Sequence, residues 1–188
     1  MNIEYIPIGM NCSVTMTLKN KKFRTQAYPF DWQVTSMQSF YNACSNNFKN
    51  LLDDIWVGEK IKRIYIAEHM QNPKILNDYI HPVICKKYNI LFPHYFKEVD
   101  QRSINLVKDK MQKRIKSFRT SLKDNKIKKK FIYKFDKLNS WQQSCFKLCG
   151  VDTDIFSMKM NDVYLNKAIQ LFSDRNVEFI SLNKMQRL

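Results

Sequence analysis

Apolar positions along this chain follow two rhythms, and the changes between them mark out the elements. An apolar run beginning at Ile3 stops at Gly9, and beyond it Val14 and Leu18 stand four apart, the spacing of a helix face. A strand, a tight turn and a helix are predicted there. Residues 19–24 read as a basic turn, and Pro29-Phe30-Asp31-Trp32 as a compact one, because Pro29 pre-sets its own φ and disfavours helix at Tyr28. Thr35 or Ser36 then caps a helix running toward Asn46. The β-branched and aromatic stretch 61–67 predicts a strand. Pro73 and Pro82 are expected to break anything long between 68 and 89, and the run 89–94 reads as a short strand halting at Pro93.

The clearest helix follows. Ile104, Val107, Met111, Ile115, Phe118 and Leu122 are three or four apart, with Lys108, Lys110, Lys113, Lys116 and Arg119 on the other face. A strand at 131–135, a helix at 141–149 ended by Gly150, a helix at 162–172 and a strand at 177–182 complete the pattern. Helices alternate with strands from residue 100 onward. This predicts an α/β fold, a single layered domain over 1–188 with a largely parallel central sheet flanked by helices.

Composition narrows the chemistry. Of the 188 residues 44% are hydrophobic, which argues for a folded chain, and no apolar run reaches the ~20 residues of a membrane span. With only Gly9, Gly58 and Gly150 present, neither a Gly-x-Gly-x-x-Gly nor a P-loop can be built, and no cofactor is expected. The residues before the first strand do not have the basic-then-apolar layout of a signal peptide, so a cytoplasmic location is expected. The five cysteines, Cys12, Cys44, Cys85, Cys145 and Cys149, then read as thiols. Cys145 and Cys149 lie one helical turn apart. No Cys-x-x-Cys or histidine pair completes a metal site with them, and His69 and His81 are not at ligand spacing.

The net charge is +15, carried by 25 Lys and 7 Arg. Its densest block, 108–130, holds eleven basic residues against Asp109 and Asp124. A solvated helix face with a basic turn is the preferred reading. A binding module using this block for nucleic acid or an acidic partner is the alternative to an enzyme. The sequence does not specify an oligomeric state.

The candidate chemistry centres on Cys12, three residues beyond the glycine that ends the first strand. A cysteine at the mouth of a helix meets partial positive charge that favours thiolate over thiol. Among the three histidines His94 is the best base, because the ends of strands tend to gather into sites. Asp31 is the acidic residue nearest in the sequence pattern to orient the imidazole, and Asp136 is the alternative that follows the histidine in the chain. Asn11 and the Cys12 N–H would stabilise an oxyanion. Structural roles are open for each: Cys12 as a small buried residue, Asp31 bonding its own turn, Trp32 and Phe30 as core anchors, and Tyr95 supporting the ring or packing.

Gly9-x-Asn11-Cys12-Ser13, Leu18, Arg24 and Pro29-Phe30-Asp31-Trp32 resemble the start of a family labelled putative papain-like cysteine peptidase. The resemblance continues at Phe92-Pro93-His94, at Lys113-Arg114-Ile115-x-x-Phe118 and at Phe131-Ile132-Tyr133. It implies thiol-dependent hydrolysis of a peptide or other acyl bond, with a papain-like α+β fold as the alternative to the layered sheet.

Overall fold

The computed structural model describes residues 2–9, 12–66 and 75–185. Of the positions singled out above, Asn11, His69 and Pro73 lie outside the described residues.

A three-stranded parallel sheet has the order β1 (Ile3–Gly9), β6 (Lys128–Lys134), β7 (Val177–Ser181). The central strand β6, rich in lysine at its ends, is apolar on both faces at its middle. Phe131 points into the larger core with Ile6 and Ile8, and Ile132 into a smaller one with Val14 and Leu18. Both are fully buried, as strands covered on two sides must be. β1 is an edge strand and tolerates Pro7, whose missing N–H costs nothing on an unpaired side. Helices α1 (Ser13–Asn20) and α6 (Leu182–Met185) cover one face of this sheet. The other is covered by α2 (Met37–Ser45), α3 (Gln101–Lys123) and α5 (Met158–Leu171).

The stripe predicted on α3 is its buried face: Val107, Met111, Ile115 and Phe118 enter the main core. Ser36 caps α2 by accepting the Ser39 N–H at 3.0 Å. Asn139 and Gln142 form a capping box at α4 (Ser140–Leu148), and Gly150 follows that helix at φ +79°.

A second, antiparallel sheet comprises β2 (Ile55–Val57), β3 (Ile61–Ile66), β4 (Ile75–Cys85) and β5 (Ile90–Phe96). It corrects two expectations. Pro82 does not break the chain but lies within β4, and Pro93 does not end β5 but lies inside it. The prolines meet at one irregularity. Phe92 pairs with Val83 and Phe96 with His81, so residues 93–95 stand opposite Pro82 alone. A bulge leaves ladder positions unpaired, which is where a residue without an N–H does least harm.

The chain as a whole is mixed α/β, with the parallel sheet flanked by helices and the antiparallel sheet beside it. Among the described residues no helix is long and apolar enough to cross a membrane.

Candidate active site

Cys12 follows the carboxyl end of β1 and is the N-cap residue of α1, its carbonyl accepting the Met16 N–H at 2.9 Å. Its side chain takes no part in capping. The sulfur lies 3.0 Å from His94 Nε2, so two residues 82 apart in sequence meet at hydrogen-bond distance. His94 sits in the bulge of β5 and is exposed, between the buried Pro93 and the half-buried Tyr95. Bulges re-aim side chains that a regular ladder would hold perpendicular to the sheet, and this one presents the imidazole to the sulfur.

What joins the two strands is the segment after the Pro29–Trp32 turn. The Thr35 N–H donates to the Gly9 carbonyl at 3.1 Å, and Val34 exchanges both of its backbone hydrogen bonds with Leu91, at 3.0 and 3.1 Å. This clasp therefore grips β1 three residues before Cys12 and β5 three residues before His94. Trp32 enters it at φ +62°, a left-handed conformation that an indole adopts only when its surroundings impose it.

Asp31 anchors the turn. Its carboxylate is fully buried and accepts from Arg24 Nε at 3.1 Å, Arg24 Nη2 at 2.5 Å, the Tyr28 N–H at 3.0 Å and Thr15 Oγ1 at 3.5 Å. One carboxylate thus ties α1, the basic turn and the Pro29–Trp32 turn together. Asp31 reaches the histidine's neighbour through its backbone, because Tyr95 Oη donates to the Asp31 carbonyl at 2.7 Å. Arg114 Nη1 donates to the same phenol oxygen at 2.7 Å. Burial, opposed by the Arg114 cation, pushes the Tyr95 hydroxyl up to about 12, so it remains a donor throughout the neutral range. Asp136 follows β6, whose Lys134 is paired with Gly9, and makes an ion pair with Lys134 at 2.9 Å. It and Cys12 therefore leave the same end of neighbouring parallel strands, the end at which α/β sheets build their sites.

Sequence reasoning missed three contributors. Arg114 stands in the sequence only as part of the basic 108–130 block and of the family resemblance, with nothing to link it to Tyr95, and Trp141 only as a helical residue, yet Trp141 lines the Cys12 cleft. The bulge itself was hidden by Pro93, which reads as a strand stop. His81 is tied to the Gly58 carbonyl at 3.1 Å.

Cys12 and His94 share an open cleft of about 600 Å³, walled by Met16, Val34, Pro93 and Trp141. Burial pushes up the other thiols: Cys44 well above its ordinary value, Cys85 and Cys149 upward, and Cys145 to about 11. A thiol held protonated is a poor nucleophile, so at neutral pH these four lack what an imidazole can offer Cys12. Among the described residues no three histidine, cysteine and carboxylate side chains gather as a metal ion would require.

No curated protein and no solved structure matches the chain. The family model described as putative papain-like cysteine peptidase matches residues 3–147, a span from β1 into α4 that includes Cys12, Asp31 and His94. The chain belongs to that family.

Proposed function

We propose that the protein is a thiol-dependent acyl hydrolase acting on peptide bonds, with Cys12 as nucleophile and His94 as general base. The 3.0 Å separation of Cys12 Sγ from His94 Nε2 carries this reading. At that distance the imidazole can accept the thiol proton, and the positive end of α1 favours the thiolate that remains. The thiolate attacks the substrate carbonyl carbon. The tetrahedral oxyanion forms beside the α1 N-terminus, with Asn11 as a further donor. His94 returns the proton to the departing amine as the C–N bond breaks, leaving a thioester. His94 then deprotonates a water that attacks the thioester, and the acid and the Cys12 thiol are released.

Asp31 acts in this reading as a positioning residue: its carboxylate holds the turn and its carbonyl holds Tyr95, next to the base. Asp136 is the acidic residue whose route out of β6 suits the group that orients the imidazole. The alternative, binding through the 108–130 segment, draws on the exposed Lys113 and Lys116 of α3.

The test is hydrolysis of fluorogenic peptide and thioester substrates. Cys12→Ala should abolish turnover, and His94→Ala should lower it by about 10²–10⁴-fold. Iodoacetamide at neutral pH should alkylate Cys12 before the other four cysteines, and more slowly in His94→Ala. Undiminished hydrolysis by Cys12→Ala across all probes overturns the proposal, as does an alkylation rate at Cys12 that ignores His94.

A further inference from the structure

Two clefts meet at His94, and they differ in charge. The one shared with Cys12 has, among the described residues, no Lys, Arg, Asp or Glu in its lining. The second, of about 380 Å³, runs between the Pro29–Trp32 turn and the edge of α3, where Trp32 faces Leu106, Lys110 and Arg114. Those three α3 residues stand four apart and so form one ridge of the helix.

Both cations lie over the same aromatic ring. Lys110 Nζ is 5.3 Å from the Tyr95 ring centroid and the Arg114 guanidinium carbon is 5.7 Å from it. Arg114 otherwise donates to the Tyr95 hydroxyl and, at 3.4 Å, to the Tyr28 carbonyl. Among the described residues no carboxylate lines this cleft.

A chain of net charge +15 has cations everywhere, so the contrast with their neighbours is what counts. Lys108, two residues before Lys110 on α3 and so on a different side of the helix, is paired with Asp53 at 2.7 Å. Lys60 is paired with Glu98 at 2.6 Å and Lys128 with Glu178 at 2.8 Å. Lys110 and Arg114 instead sit together over the Tyr95 ring, against neutral groups among the described residues. Lys110 is exposed, and partial desolvation and next the Arg114 charge lower its affinity for its proton, as two cations facing one ring would. The lip of the cleft is apolar: Leu106 is 61% exposed although it stands beside the half-buried Trp32. An anion at the end of a short aliphatic stem would meet both kinds of wall.

We infer that this second cleft is the specificity subsite of the Cys12–His94 site, and that it takes the carboxylate of an acidic side chain, glutamate above all, close to the bond that is cut. Lys110 and Arg114 bind the carboxylate, and Leu106 and Trp32 cover the methylenes. The inference rests on the hydrolase reading above, and the experiment separates the two.

Paired peptides, amidated at the C-terminus and differing only in Glu or Gln beside the scissile bond, are compared by kcat/KM. A third carries Gln there and a free C-terminal carboxylate. The wild-type protein should favour the Glu peptide over the Gln peptide by about tenfold. Lys110→Glu should erase or invert that ratio. Lys113→Glu, the same charge change on an exposed part of α3 outside the cleft, should leave it unaltered.

Binding of the same peptides to Cys12→Ala, followed by fluorescence anisotropy, should show the same order. Equal cleavage of Glu and Gln peptides overturns the subsite and leaves the hydrolase reading standing. Preference for the free C-terminal carboxylate over the Glu side chain also overturns the assignment. Absence of cleavage, together with Lys110-dependent binding of the Glu peptide to Cys12→Ala, sinks the hydrolase reading and supports the anion site.

Discussion

The two sheets supply the two halves of the candidate site in different ways. Cys12 comes off the end of a parallel strand whose neighbour, β6, is buried on both faces, so its starting point is fixed by core packing. His94 comes from an irregularity in an antiparallel strand, where two prolines interrupt the ladder. Its place depends less on the sheet itself than on what grips the strand from outside: the Val34–Leu91 bridge and the Tyr95 hydroxyl. Cys12 inherits rigidity from its sheet, whereas His94 has its position imposed chiefly by the Asp31 turn and the bridge that follows it.

Asp31→Ala tests that difference most severely. It leaves Arg24, whose side chain is 21% exposed, without its carboxylate, and it strips the Tyr28 N–H and Thr15 of their acceptor. Removing one member of a largely buried pair costs about 3 kcal/mol, measured by urea unfolding. Hydrogen exchange sharpens the comparison. Amides of β5 should lose protection in this variant while those of β6 keep theirs. Equal loss in both would mean that the turn supports the whole fold and not the base in particular.

Tyr95→Phe is the gentler break. It removes the bond to the Asp31 carbonyl and the acceptor of Arg114, at a cost of about 1–2 kcal/mol. Peptide hydrolysis should fall, whereas folding of the parallel sheet, read from β6 amide protection, should not change. The same hydroxyl gives a pH signature. Its folded value of about 12 exceeds the ordinary 10.0, so the folded state holds this proton more tightly than the unfolded chain. Its contribution to stability is complete below about pH 10 and is lost as pH rises toward 12. Tyr28, raised by burial and then by its bond to Glu4, acts in the same direction. Tyr95→Phe should therefore flatten the alkaline fall in stability without abolishing it, and an unchanged alkaline limb would contradict the shift.

The smallest effect is expected at the bulge. Pro93→Ala should change stability by only about 0.5 kcal/mol, chiefly through the greater freedom of the unfolded chain. A larger effect on hydrolysis than on stability would show that the proline helps aim His94; parallel changes would make it a simple strand residue.

The parallel sheet was legible because each strand carries a short apolar run, only residues 131–133 in the lysine-rich β6, and α3 because its stripe repeats over five turns. Of the antiparallel sheet, the strands at 61–67 and 89–94 were legible, whereas β4 and its meeting with β5 were not. Two of its strands contain prolines that local rules read as stops, and only their placement opposite one another turns two breaks into one bulge. Cys12 and His94 could be chosen from residue chemistry, since few histidines are available. The environment of Asp31 could not, because an acidic residue in a turn looks the same whether it faces an imidazole or a guanidinium. Arg24 was visible in the motif, but its pairing with Asp31 arises from the return of the chain after α1.

The clasp has one more consequence, for chain length. It fixes Gly9 and Leu91, and each reactive side chain lies three residues beyond its fixed point. A residue of extended chain advances about 3.3 Å. One insertion or deletion between Leu91 and His94, within β5, would therefore shift the imidazole against the sulfur by more than their whole 3.0 Å separation. On this side the candidate site is measured off like a ruler, and its precision lies in counting residues as much as in choosing them.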